Sequence, residues 1–330
     1  MVHLQQAIPY TIECYARGVL GMDQHDHILS ASKAFHAYGL GKSITFPLGV
    51  GASSVLFPGR PIPAAIFGEL IRHRPTLFFT VPTFYAAMLA AARKEPDWDL
   101  SSLRLCVSAA EALPPEILRR WQERFDVEIL DGIGSTELLH IFISKRSGQV
   151  KAASSGTPVP GYEVRIVDAS SREVPRGESG DLLVRGGSAS PHYWNRPEAE
   201  GSRQAGWHPT GDRYHCDEEG SYFYEGRSDD MLKVGGQWVS PVEVEHTLMQ
   251  HPAVLEGAVV AARDAAGLTR SKAFVILNEG SEASHKLVEE LKGFVKSRIA
   301  PYKYPRMIEF VEALPKTATG KIQRFRLRGD

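Results

Sequence analysis

The sequence predicts an α/β chain: a parallel sheet of βαβ units with a small antiparallel β-barrel or sheet beside it, followed by a compact α+β module. Three observations carry this expectation. The 330 residues correspond to two domains at ~150 residues each, both large enough to bury a core. Between 61 and 131, short apolar runs alternate with amphipathic stretches of helical period, which implies βαβ units. Beyond 156 the pieces shorten, become β-rich and are divided by Gly, Pro, Asp and Ser turns.

In chain order, IPAAIFGELIRHRP (62–75) has the spacing of an amphipathic helix and TLFFTV (76–81) the composition of a buried strand. PTFYAAMLAAARKE (82–95) is the next helix, LRLCVSAA (103–110) the next strand, PPEILRRWQERF (114–125) a third helix and VEILDG (127–132) a third strand. Ligands on such sheets lie beyond the C-terminal ends of the strands. SAAEAL (108–113) and DGIGSTE (131–137) both follow predicted strands, so they converge on one crevice. YEVRIVD (162–168), GDLLVRG (180–186) and GSYFYEG (220–226) form the antiparallel part. The C-terminal module reads as helix VEVEHTLMQHP (242–252), strands LEGAVVAARD (255–264) and KAFVIL (272–277), helix SHKLVEELKGFVKSRI (284–299) and strand MIEFVEAL (307–314).

Composition removes several function classes. The 38 basic and 39 acidic side chains leave a net charge of −1, so no global field holds nucleic acid or an anionic membrane. Cys14, Cys106 and Cys216 are far apart and have no CxxC or His partner at zinc spacing, which argues against a disulfide framework or a zinc knuckle and for a reducing cytoplasm. No stretch approaches the ~20 apolar residues of a membrane span, and the N-terminus lacks the basic-then-apolar order of a leader. Small molecules are the expected partners.

Several polar stretches carry chemistry, each with a plainer alternative. In GIGSTE, Gly132 and Gly134 let a ligand approach the backbone, Ser135 and Thr136 offer hydroxyls, and Glu137 supplies a hard oxygen suited to magnesium. The same residues also fit a strand-to-helix turn capped by Ser135 or Thr136. HPTGD (208–212) sets Asp212 after a turn, where it could accept two ribose hydroxyls or simply close the turn. GRSDDMLKVGG (226–236) gathers Arg227, Asp229, Asp230 and Lys233 beside Gly235 and Gly236 at the expected domain junction. PKTATGKIQR (315–324) presents Lys321 from a Thr/Gly loop, either as a mobile ammonium for a phosphate or as a solvated lysine.

In this order, SAAEALP, DGIGSTE, HPTGD, GRSDDMLKVGGQWVSPVEVE and PKTATGKIQR resemble the successive signature motifs of the adenylate-forming superfamily of acyl-CoA synthetases, luciferases and peptide-synthetase adenylation domains. KAFHAYGLG, DGIGSTELLHIF and DMLKVGGQWVSPVEVE are similar, more narrowly, to the benzoate-CoA ligase branch. The resemblance implies ATP and CoA as substrates, Mg2+ on Glu137, and an aryl carboxylate as the acid. It implies that residues 1–228 are the C-terminal part of a large AMP-binding domain, that 229–330 are the small C-terminal domain, and that Asp229 is the hinge on which the small domain swings between half-reactions. Ala110, Glu111, Ala112, Asp131 and Gly132 would line the adenine pocket, Thr136 would touch the α-phosphate, and Asp212 and Arg227 would hold the ribose. Lys321 would be the adenylation lysine, Lys233 the lysine of the second conformation, and Gly235 and Gly236 the lining of the CoA tunnel. His36, Ala37, Tyr38, Ile133, Gly134, His140 and Ile141 would surround the acyl group, with His36 near its carboxylate. Glycine and alanine there leave a slot suited to a flat ring. These residues do not separate benzoate from hydroxybenzoates or 2-aminobenzoate, because single pocket changes of about 1–3 kcal/mol redirect such preferences.

The sequence departs from the family pattern in two places. A Ser/Thr/Gly-rich phosphate loop ending in lysine is absent, and MVHLQQAIPY resembles the residues that follow it, so the chain is expected to begin just past that loop. The expected consequences are an uncovered sheet edge with apolar surface, and a partner in the form of a separate N-terminal segment or a second copy. Ala110 stands where relatives often have glycine. Three readings follow: a ligase completed by an N-terminal piece, a partial enzyme that only thiolates a preformed adenylate, or a non-catalytic AMP- or CoA-binding remnant. The presence of Glu137, Asp212, Arg227, Lys233 and Lys321 favours the first.

Overall fold

The computed structural model describes residues 1–93, 98–195, 206–234, 237–264, 268–317 and 322–328. The chain forms two compact units, Met1–Thr210 with Tyr214–Phe223, and Gly211–Arg213 with Tyr224–Asp330.

In the first unit, α1 (Ala7–Thr11) continues into a π-helical turn over Ile12–Arg17. After β1 (His27–Ser30), α2 (Ala37–Leu40) is joined through a second π turn, Gly41–Thr45, to α3 (Phe46–Val50), and β2 (Ser53–Val55) follows. The alternating segment then folds as its sequence pattern predicts: α4 (Pro63–His73), β3 (Leu77–Thr80), α5 (Pro82–Ala92), β4 (Leu105–Ala109), α6 (Pro115–Phe125) and β5 (Ile129–Gly134). Each of these three helices has proline in its first turn, where the missing N–H is not needed. β6 (Ile141–Ser144) and β7 (Thr157–Pro158) complete a seven-stranded sheet of order β2-β1-β3-β4-β5-β6-β7. Its first five strands are parallel, β6 runs antiparallel to β5, and β7 antiparallel to β6.

Every residue of β3 and β4 is buried, as expected where helices cover both faces of a parallel sheet. α6 turns Ile117 and Trp121 inward, and the Trp121 ring meets Tyr85 of α5 edge-on at 4.7 Å. A second sheet holds β8 (Glu163–Val167), β9 (Gly180–Arg185), β10 (His208–Cys216) and β11 (Tyr222–Arg227) in the order β11-β10-β9-β8, with β8 and β9 antiparallel.

The second unit includes the antiparallel pair β12 (Leu232–Val234) and β13 (Gln237–Val239). The order of α7 (Pro241–Met249), β14 (Val254–Arg263), β15 (Thr269–Leu277), α8 (His285–Lys296) and β16 (Met307–Phe310) is the one the sequence predicts. Ser240 caps α7 by accepting from the Glu243 N–H at 3.1 Å, and Ser284 caps α8 by accepting from Leu287 at 3.1 Å. α8 buries Leu287, Leu291 and Val295, a stripe of four-residue spacing. Ala258, Val260, Phe274 and Leu314 form a core cluster on its three-stranded sheet. Among the described residues, no helix is long and apolar enough to cross a membrane.

Candidate active site

The strand ends of the first unit bring two of the motifs together. Ser108 and Ala109 of β4 lie in register with Asp131 and Gly132 of β5, so SAAEAL and DGIGSTE leave the sheet side by side. The Leu113 N–H donates to Asp131 Oδ2 at 3.3 Å and ties one loop to the other. Burial pushes the Asp131 carboxyl up to about 6, a rise that the Lys145 charge and the Leu113 N–H only partly offset. Ala110 is exposed and left-handed at φ 81°, while Glu111 and Ala112 are half-buried beside it.

GIGSTE is not a strand-to-helix turn. The chain reverses over 135–139 and returns as β6, antiparallel to β5. A Cβ on Gly132 would lie 2.8 Å from the Ile143 carbonyl oxygen, and one on Gly134 would lie 2.6 Å from that of His140, so the returning strand dictates both glycines. Ser135 Oγ accepts from the Leu138 N–H at 3.2 Å and shapes the reversal without capping a helix. Thr136 is exposed, and its carbonyl is held by His3 Nε2 at 2.7 Å. Burial would raise the half-buried Glu137, but the Tyr193 hydroxyl, which donates to Oε1 at 2.8 Å, and the neighbouring His208 hold it below the usual range. It is therefore a carboxylate at neutral pH. Among the described residues, no group of three or more His, Cys, Asp or Glu is arranged to hold a metal by itself.

The residues expected around the acyl group lie on α2 and on the hairpin. The Tyr38 hydroxyl reaches the carbonyls of Thr80 and Val107, both at 3.2 Å, which turns its ring toward the sheet. His140 lies 5.8 Å from the Tyr38 ring and 4.4 Å from Phe46, and packs directly against Gly41. Burial and the nearby Lys42 push the His140 imidazole down to about 3, so it is neutral. Ile141 is buried opposite Gly134, and Ile133 and Ala37 are half-buried. His36 precedes α2 in extended backbone, and its ring stacks on Phe35 at 4.6 Å.

The remaining predicted residues belong to the second unit. HPTGD lies within β10 rather than in a turn, and Gly211 puts a left-handed kink of φ 74° into that strand. A Cβ there would come 2.6 Å from Arg227 Nη2, so the missing side chain is what lets the guanidinium approach. Arg227 Nη1 pairs with Asp212 Oδ1 at 3.3 Å, and Nε lies 3.8 Å from Asp229. Lys233 is exposed on β12, its ammonium 5.6 Å from the ring centre of Trp238 on β13. Gly235, Gly236 and Lys321 lie outside the described residues. The flanks of Lys321 are pinned: Lys316 pairs with Glu256 at 2.8 Å, and Arg324 grips the buried Glu245 at 2.7 and 3.2 Å.

Sequence reasoning missed Tyr193, Lys145, His3 and Lys42. The first three lie in no motif. Lys42 alone left a signal, as one charge inside the apolar and glycine run GLGKSITFPLGV.

Residues 1–194 match the AMP-binding enzyme family, and 243–321 match the AMP-binding enzyme C-terminal domain. The chain is 52% identical to a benzoate-CoA ligase of Thauera aromatica, over 99% of its own length and 62% of that protein's. It superposes on a benzoate-CoA ligase of Burkholderia xenovorans LB400 with a TM-score of 0.93 at 51% identity, covering 99% of this chain and 66% of that one. An anthranilate-CoA ligase solved with anthranoyl-AMP gives 0.94 at 47% identity, covering 98% and 63%. The chain thus spans about six-tenths of the length of the curated relatives it matches.

Proposed function

The chain belongs to the AMP-binding enzyme family, and from that premise we propose that it is an aryl-CoA ligase, an acid–thiol ligase that makes an aroyl-adenylate from ATP and passes the acyl group to CoA. The observation that carries the reading is the reversal after β5, where exposed Thr136 and ionised Glu137 stand one turn from the aromatic enclosure of Tyr38 and His140. In the first half-reaction the acid's carboxylate attacks the α-phosphorus and pyrophosphate leaves. Thr136 contacts the α-phosphate, and the strand-end loops at 110–112 and 131–132 take the adenine. Glu137 fits Mg2+, which is commonly held by one or two carboxylates together with substrate phosphates and would supply positive charge there. Asp212 accepts the ribose hydroxyls, with Arg227 orienting it. Lys321 bridges carboxylate and phosphate, stabilising the charge that builds on the oxygens. In the second half-reaction the CoA thiolate attacks the acyl carbonyl and AMP leaves, with Lys233, Gly235 and Gly236 on the side that CoA enters.

The domain division at 228/229, with Asp229 as hinge, forms part of this reading. Exposed Leu48 and Leu56, which flank the edge strand β2 in the chain, are what a covering segment or a second copy would bury. Three unpaired cysteines fit a reducing cytoplasm. The test is chromatography of AMP and aroyl-CoA formed by the 330-residue chain from benzoate, ATP, Mg2+ and CoA, with a parallel reaction on preformed benzoyl-adenylate. Thioester from both supports the full ligase. Thioester from the adenylate alone reduces the chain to a thiolating enzyme, and none from either rejects the reading.

A further inference from the structure

Lys42 is fully buried, on the π turn between α2 and α3. Among the described residues no acceptor lies within hydrogen-bond reach of its ammonium. What it does touch is aromatic: Nζ stands 3.1 Å from the ring centre of Tyr38 and 5.5 Å from that of Phe79 on β3. His140, whose ring fills the space beside Gly41, is buried next to it with its only hydrogen-bonding influence among the described residues coming from the Tyr38 backbone, so its hydrogen-bonding capacity is not filled. A cation over a ring recovers part of the lost hydration but leaves the N–H bonds unmade, and each unpaired buried polar group costs about 1–3 kcal/mol. Two such groups side by side, against the residues that the aryl-ligase reading assigns to the acyl slot, are the mark of a ligand-facing polar spot.

We propose that Lys42 is a specificity-determining residue whose amine binds a ring hydroxyl of the acid, so that the chain prefers hydroxybenzoates to unsubstituted benzoate. The inference rests on the aryl-ligase reading. There the acid's carboxylate is directed to Thr136, at the exposed end of the hairpin. Lys42 lies toward the sheet, between Phe79 and a Tyr38 ring tethered to Thr80 and Val107, so it meets the far edge of the aromatic ring rather than the carboxylate. Burial also pushes the Lys42 amine well below the ordinary lysine range. A lysine head carries N–H donors, and a neutral imidazole carries one donor and one acceptor. A hydroxyl, which both donates and accepts, matches that pair, whereas a hydrogen or a methyl on the ring leaves it unsatisfied.

Calorimetric titration of the chain with benzoate, 3-hydroxybenzoate and 4-hydroxybenzoate tests this without requiring turnover. At least one hydroxybenzoate is expected to bind ~10-fold or more tighter than benzoate, since a site built to bond a hydroxyl rejects the analogue that lacks it. In Lys42→Met, which keeps the length and removes the amine, that ratio is expected to fall to about one. Equal affinities in the unsubstituted chain, or a preference that survives in K42M, would overturn the proposal while leaving the aryl-acid reading intact. Binding of none of the three acids would overturn both. If K42M does not fold, the ratio in the unsubstituted chain decides alone.

Discussion

At position 110 a methyl group stands on a backbone turned to φ 81°, a region that glycine enters freely and alanine does not. The resemblance marked Ala110 as a departure, and the dihedral gives a physical reason why glycine would suit the position. Ala110→Gly should raise stability by about 1 kcal/mol, the cost of a left-handed L-residue, partly offset by the freer unfolded chain. A urea midpoint no higher than that of the unsubstituted chain would contradict this. Asp131 supplies a pH-dependent counterpart. Its folded value of about 6 exceeds the unfolded 3.8, so the folded state holds the proton more tightly. The associated stability is present below pH 3.8 and is lost as pH rises through about 6. Asp131→Asn has no proton to lose, so its stability relative to the unsubstituted chain should climb between those two pH values. Parallel urea titrations across that window check the slope, and a constant difference would rule the shift out. Sequence could point to Asp131 as a residue at a strand end. Its raised proton affinity comes from burial, only partly offset by Lys145, and a linear reading contains neither.

At the scale of elements, what was legible followed from period. From α4 to β5, α4 and α6 repeat their apolar residues at helical spacing, α5 is a long alanine-rich run opened by proline, and each strand is one short apolar run, so their order could be written down from the residues alone. The first 60 residues resisted because α2 and α3 are only one turn long and are joined by a π turn that breaks the 3.6-residue period. HPTGD was legible as a binding motif but not as structure: its Gly and Pro signal a turn, yet pairing draws them into β10, and the left-handed glycine survives as a kink. That kink makes a prediction. Gly211→Ala puts a Cβ 2.6 Å from Arg227 Nη2 at φ 74°, so it should cost about 1–3 kcal/mol and displace the guanidinium from Asp212. Weakened binding of AMP, by ~10-fold or more in calorimetry, is the expected functional result, since a charged hydrogen bond contributes about 1.5–3 kcal/mol. Unchanged AMP affinity would remove Asp212 and Arg227 from the ribose site.

For the whole molecule, the two units divide the proposed chemistry unequally. The first carries the strand-end loops, the hairpin and the aromatic enclosure, all joined to a buried sheet. The second carries both lysines assigned to catalysis: Lys233 on a hairpin, and Lys321, which in sequence stands between Lys316, paired with Glu256, and Arg324, paired with Glu245. Two cations offered from one small unit suit a reaction in two steps, because the first step must neutralise charge at phosphorus and the second must not wait on the same ammonium. The steps should therefore separate genetically. Lys321→Ala is expected to slow adenylate formation by ~100-fold or more, the scale of one lost transition-state charge contact, while leaving transfer from supplied benzoyl-adenylate to CoA within about threefold of normal. Lys233→Ala should do the reverse. Single-turnover measurements of both half-reactions in both variants decide the matter. A variant that depresses the two steps equally would mean that its lysine holds the fold or the nucleotide, and the assignment of one cation to each half-reaction would have to be abandoned.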